Sequence, residues 1–202
     1  MTMRVAILLF DGFDLIDAGG PYEVFLTASR LLERDGLPPA YEVVLATPGG
    51  DDVVAFGGMT LTRLTDTDAL DSADIVLVPG TIDVACALSD SALREAIERL
   101  AASSSLTASV CTGAFLLARA GLLRDKPATT HWEDLGDLGG CGDVAEVIAG
   151  VRWVDAGAVL TSGGLTSGIH LALHLVARTT SVDLAQRTAR QLDMDWSPDP
   201  AR

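Results

Sequence analysis

Positive charge is scarce in this chain. Fourteen Lys and Arg stand against 28 Asp and Glu in 202 residues, a formal net charge of −14. A surface of that sign repels phosphate backbones, and no basic run interrupts it, so nucleic acid is not an expected partner. Long apolar runs are missing too. None reaches the roughly 18 residues of a membrane span, and the opening run Val5–Phe10 is stopped by Asp11-Gly12, too early for a signal peptide with its cleavage site. Cysteine is sparse: Cys86, Cys111 and Cys141 are odd in number and unevenly spaced, with no metal or disulfide pattern, which suits a reducing cytoplasm. No Gly-x-x-x-x-Gly-Lys-Ser/Thr loop and no Gly-x-Gly-x-x-Gly after a strand occurs, so a nucleotide cofactor is not expected.

What remains is aliphatic. The chain is 49% hydrophobic but only 5% aromatic, enough to bury one sizeable core, so residues 1–202 are read as one domain. Runs of β-branched and apolar residues at Val5–Phe10, Tyr41–Ala46, Ile75–Val78 and Leu106–Val110 read as strands, and Val53–Leu61, Ala128–Thr130 and Val151–Leu160 as shorter ones. Helical spacing recurs over Pro21–Glu33, from Ser89 or Asp90 to Leu100, after Cys111, and over Ser167–Arg178 and Val182–Leu192. Apolar strands alternating with helices predict an α/β fold, a mostly parallel central sheet covered on both faces. Ligands in such sheets sit beyond the carboxyl ends of the strands. Asp11–Asp17, Pro79-Gly80 and Cys111 each follow a strand, so they are expected at one edge.

The densest local signal is Thr107–Phe115. An apolar strand runs into Cys111, then Thr112-Gly113-Ala114 and an amphipathic helix. Small residues there permit the sharp strand-to-helix bend of a nucleophile elbow, with the sulfur at a helix N-terminus, a setting that favours thiolate over thiol. Asp17, just before the first helix, is the candidate acid/base partner, provided burial raises its pKa toward neutrality; Asp14 is the weaker rival, and spacing does not choose between them. Gly80 and Thr81 offer a turn amide, and Thr112 a second, to a developing anion or nitrogen lone pair. His170 and His174 share a helix face but lack a third ligand, so packing or surface roles are expected rather than metal. His131 is the remaining imidazole that could pair with the cysteine. Cys86 and Cys141 have no activating context.

Taken in order, Leu8–Phe10, Leu15–Pro21 with Glu23–Phe25, Val78–Gly80, Ser109–Ala114, Ala120–Leu123, Ala128–Trp132 and Leu160–Gly168 resemble the ThiJ/PfpI superfamily, a flavodoxin-like cousin of class I glutamine amidotransferase domains, and within it the isonitrile hydratase branch. The resemblance implies Cys111 as nucleophile, Asp17 as its acidic partner and Thr112 as the residue following the nucleophile. It implies a homodimer acting on a small molecule, without metal or organic cofactor. The implied reaction adds water to R–N≡C through a Cys111 thioimidate, giving an N-formamide, with the R-group pocket expected to draw on loops near Ile82 and Trp132 and on the dimer partner. Thr112 replaces the histidine of protease-like relatives, and Pro79-Gly80-Thr81 replaces the hydratases' Pro-Gly-Gly. Other thiol-dependent activities, carbonyl hydration or amide hydrolysis, are the alternative. A redox or ligand sensor akin to the N-terminal halves of AraC-type regulators is another.

Overall fold

The computed structural model describes residues 2–142 and 144–201. The elements in chain order are β1 (Met3–Leu8), α1 (Leu15–Arg34), β2 (Tyr41–Thr47), β3 (Val53–Val54), β4 (Thr60–Leu61), β5 (Thr65–Asp66), β6 (Ile75–Val78), α2 (Val84–Ser89), α3 (Ser91–Ser103), β7 (Leu106–Val110), α4 (Gly113–Arg119), β8 (Pro127–Ala128), α5 (Leu135–Gly139), β9 (Glu146–Val147), β10 (Trp153–Asp155), β11 (Val159–Ser162), α6 (Thr166–Thr179) and α7 (Val182–Gln191).

Seven strands form the main sheet in the order β10-β11-β7-β6-β1-β2-β5. Every neighbouring pair is parallel except β10 with β11. Both faces of the central strands are covered, so Val5–Leu8 and Ile75–Val78 are apolar and buried throughout, and in Leu106–Val110 even Thr107 and Ser109 are buried. From β1 the chain moves outward through α1 to β2, then returns to the other side of β1 to continue with β6, α3 and β7. Right-handed crossovers running in opposite directions put their helices on opposite faces, so α1, α6 and α7 form one layer and α2, α3 and α4 the other. The switch of direction lies between β1 and β6, where their carboxyl ends leave a crevice.

Three sequence expectations are revised. The first helix begins at Leu15, not Pro21, so Pro21 lies inside it. Proline favours the first turn and suggests a start there; burying Ala18 and Asp17 against the core extends the helix back. The strand read at Ala128–Thr130 is only Pro127–Ala128, pairing with β9. The last two residues leave it because the Thr129 N–H and the Thr130 hydroxyl bond to other segments. The short β5 and α5 are additions, each too brief to show a period.

Candidate active site

The bend after β7 is as tight as its composition demands. Cys111 has φ 56°, a left-handed value unusual for a residue with a side chain. Its N–H donates to the carbonyls of Ser162 and Gly163, both at 3.2 Å, and its carbonyl accepts from the Thr130 hydroxyl at 2.8 Å. Gly113 is required next door: a Cβ there would lie 2.5 Å from the Val78 carbonyl oxygen and 2.8 Å from that of Pro79. The result holds the Cys111 side chain at the carboxyl edge of the sheet, with 9% of the residue exposed.

Asp17 reaches the same point from the first turn of α1 and is fully buried. Oδ2 accepts the Gly80 N–H at 3.1 Å, and Oδ1 accepts the Leu165 N–H at 3.1 Å. The carboxyl lies close enough to the Cys111 side chain for each to shift the other's proton affinity. Gly80 is the meeting place: a Cβ on it would fall 2.8 Å from Asp17 Oδ2, Cys111 Cβ and Thr112 Oγ1 alike. Its carbonyl accepts the Asp14 N–H at 2.8 Å, closing the loop after β1 onto the turn after β6.

Thr81 and Thr112 clamp one another. The Thr81 N–H donates to Thr112 Oγ1 at 2.8 Å, and the Thr112 hydroxyl donates to the Thr81 carbonyl at 2.7 Å. The Thr81 hydroxyl in turn reaches the Gly12 carbonyl at 2.8 Å. The amides of Gly80 and Thr81 are therefore engaged inside the site: one orients the acid, the other fixes the residue after the nucleophile.

Burial sets the proton affinities. Removal from water, then the neighbouring Asp14 carboxylate, lifts Asp17 to about 7, against the pull of the Gly80 and Leu165 amides and of the Cys111 side chain. The Cys111 thiol is pushed up to about 12, first by burial and then by the Asp17 carboxylate, with the Thr112 amide acting the other way. This corrects the expectation of a resting thiolate. The short α4 supplies chiefly the Thr112 donors, and desolvation with two acids nearby outweighs them. Near neutral pH the sulfur holds a proton while the acid beside it is poised to exchange one.

A cavity of about 340 Å³ opens onto the sulfur, lined by Asp14, Thr81, Ile82, Val84, Cys111, Thr112, His131, Glu133, Asp134 and Leu165. A larger hollow bounded by Pro48, Thr67, Asp68, Glu95 and Arg99 shares no residue with it and contains no nucleophile. His131 joins the wall across Gly164, where a Cβ would lie 2.3 Å from His131 Cδ2 and 3.3 Å from Cys111 Sγ. Its Nδ1 accepts from the Glu133 N–H at 3.4 Å. Ile82 lines the cavity, whereas Trp132 does not.

The other histidines are structural. His174 Nε2 lies 2.8 Å from Asp155 Oδ2 and its ring stacks on Trp153. His170 accepts the Trp196 indole N–H on its carbonyl. Cys86 and Cys141 are exposed. Among the described residues no group of three or more His, Cys, Asp or Glu could hold a metal ion, and no helix is long and apolar enough to cross a membrane. Sequence reasoning missed Leu165, Thr130 and the Glu133–Asp134 pair. The one signal for Leu165 was Gly163-Gly164 just before it, marking a bend that leaves Leu165 at φ 55° with its amide free to grip Asp17.

A mostly parallel three-layer α/β fold with a buried acid beside an elbow cysteine at the carboxyl edge of the sheet defines a class of thiol-centred, flavodoxin-like proteins. Within that class the chain belongs to the DJ-1/PfpI family, whose model matches residues 3–178. It is 32% identical over 202 residues to the isonitrile hydratase of Pseudomonas putida, covering 99% of this chain and 81% of that one. It is 28% identical to the HTH-type transcriptional regulator GbdR of Pseudomonas aeruginosa over 90% of this chain, spanning 48% of the regulator. Among solved structures, a ThiJ/PfpI family protein from Pseudomonas syringae superposes with a TM-score of 0.84 at 22% identity, covering 98% of this chain and 77% of that one.

Proposed function

We propose that this chain is an isonitrile hydratase, converting R–N≡C and water into an N-formamide. The observation that carries the reading is the fully buried Asp17 carboxyl packed with Cys111 around Gly80, where a Cβ would lie 2.8 Å from both, with Cys111 lining a small cavity. The likeness to the Pseudomonas putida hydratase over nearly the whole chain supports it.

The terminal carbon of an isonitrile is electrophilic and also bears a lone pair, so it must gain a proton and a nucleophile together. A thiol and carboxylate sharing one proton meet that demand. The proton passes to Asp17 and from it to the isonitrile carbon, while the sulfur electron pair forms the C–S bond, giving S–CH=N–R. Asp17, now a carboxylate, takes a proton from an incoming water as the water oxygen bonds to the same carbon, and passes that proton to the nitrogen, giving S–CH(OH)–NH–R. Collapse of this tetrahedral species breaks the C–S bond. The hydroxyl proton returns to the Asp17–Cys111 pair and R–NH–CHO leaves. The Gly80 and Leu165 amides hold the acid in line throughout.

The test is formamide production from an alkyl isonitrile. Cys111→Ala is expected to abolish turnover and Asp17→Asn to lower it by about 10²–10⁴-fold; full activity in the cysteine variant would refute the reading. A second reading, a non-catalytic ligand sensor, is favoured by the likeness to GbdR over 90% of this chain. The same assay separates the two, because a sensor binds ligand without releasing formamide.

A further inference from the structure

The wall of the cavity carries more acid than the chemistry requires. Asp17 and Cys111 suffice for the proton and the nucleophile, yet Asp14, Glu133 and Asp134 also line the cavity. No lysine or arginine lies among the described residues of its wall. The basic group there is His131, whose Nδ1 lies 3.6 Å from Glu133 Oε2 and 3.5 Å from Asp134 Oδ2. Even a protonated His131 leaves one positive charge against three negative.

The placement is built into the fold. The Thr129 N–H donates to Thr161 Oγ1 on β11 at 2.8 Å, and Thr130 is tied to the Cys111 carbonyl. These two bonds bring the segment that follows, His131–Asp134, over the sulfur. Asp14 comes from the loop after β1, its N–H held by the Gly80 carbonyl. The rest of the wall is apolar or uncharged: Ile82, Val84 and Leu165 with Thr81 and Thr112. A ligand seated on Cys111 therefore shares the cavity with three carboxylates as well as these apolar side chains. Asp14 is felt as deep as Asp17, whose proton affinity it raises.

We infer that Asp14, Glu133 and Asp134 select the R group by charge, so that the site takes compact isonitriles bearing a cationic group most readily, neutral ones less so, and anionic ones poorly. This rests on the hydratase reading for the reacting group, whereas the charge filter is a property of the cavity and is testable without turnover. Charges a few ångströms apart in a partly enclosed cavity interact far more strongly than across open solvent, and salt weakens them.

Two measurements keep the proposals separable. In the first, kcat/KM is compared for 2-(trimethylammonio)ethyl isocyanide, its neutral isostere 3,3-dimethylbutyl isocyanide, and 3-isocyanopropanoate. The expected order is cationic, neutral, anionic, with roughly tenfold steps at low salt. Failure of all three to be hydrated overturns the hydratase reading and leaves the second measurement to decide the filter. In it, Cys111 is labelled with cationic, neutral and anionic methanethiosulfonates, with rates read by peptide mass spectrometry and divided by those at exposed Cys86. The same order is expected at Cys111, narrowing several-fold in E133Q/D134N and in high salt. Because Cys86 senses the acidic surface but not the cavity, an anionic reagent that keeps pace at Cys111 overturns the filter. So does a gap that E133Q/D134N and the two single variants leave unchanged while still folded.

Discussion

At the level of single residues, the chemistry follows from what has been taken out of water. Asp17 has no exposed surface, and it keeps an ionisable group there only because two backbone amides satisfy its oxygens. The pair it forms with Cys111 has three protonation levels, and the proposed addition uses the middle one, with a single proton shared between oxygen and sulfur. Asp17 stands near 7 and the thiol near 12. Below about pH 7 both groups are protonated and no thiolate is available. As pH rises through 7 the pair loses its first proton, so kcat/KM for a neutral isonitrile should rise and then level off. A pH–rate profile checks this, and a profile that falls across pH 6–8 would contradict it. The choice between Asp14 and Asp17 was closed to sequence reading because both sit near the start of one helix. It is decided by which one turns inward, a matter of helix phase that the misplaced start at Pro21 concealed.

Among the elements, the steric demands of two glycines point in opposite directions. Gly113 opens α4 under the carbonyls that end β6, and an added methyl would meet oxygen at 2.5 Å. Gly19 lies exposed in α1, where an added methyl meets nothing within 4 Å. Gly113→Ala should therefore destabilise the fold by about 1–3 kcal/mol and displace the elbow. Gly19→Ala should stabilise it by about 0.5–1 kcal/mol through helix propensity. Urea unfolding of both variants measures the contrast. The long elements were legible because burial on both faces writes unbroken apolar strands at Val5–Leu8 and Ile75–Val78, while Leu106–Val110, with Thr107 and Ser109 between its apolar residues, is marked by its small and β-branched composition. The elbow was legible because its bend admits only small neighbours. The wall of the cavity was not. Glu133 and Asp134 look like ordinary solvated acids in sequence, and they reach the site through hydrogen bonds from Thr129 and Thr130 to residues 32 and 19 positions away. Thr81 was misjudged as a free donor for the same reason, since its partner Thr112 lies 31 residues on.

For the molecule as a whole, topology and charge act together. The reversal of strand order between β1 and β6 brings three loops from distant parts of the chain to one crevice, so the site depends on the sheet and not on any one segment. The formal charge of −14 burdens the compact state with self-repulsion that salt relieves. Raising sodium chloride from about 20 mM to about 500 mM should raise the midpoint of thermal unfolding by a few degrees; a midpoint that drops would show that attractive surface pairs dominate instead. Gly80 carries a consequence of another kind. Three neighbours already occupy the space a methyl would need at that position, while the strands on either side make no such demand. One point change there can silence the chemistry without altering either reacting residue. A relative could thus lose its activity in a single step yet keep the shape of its pocket, ready for use as a receptor.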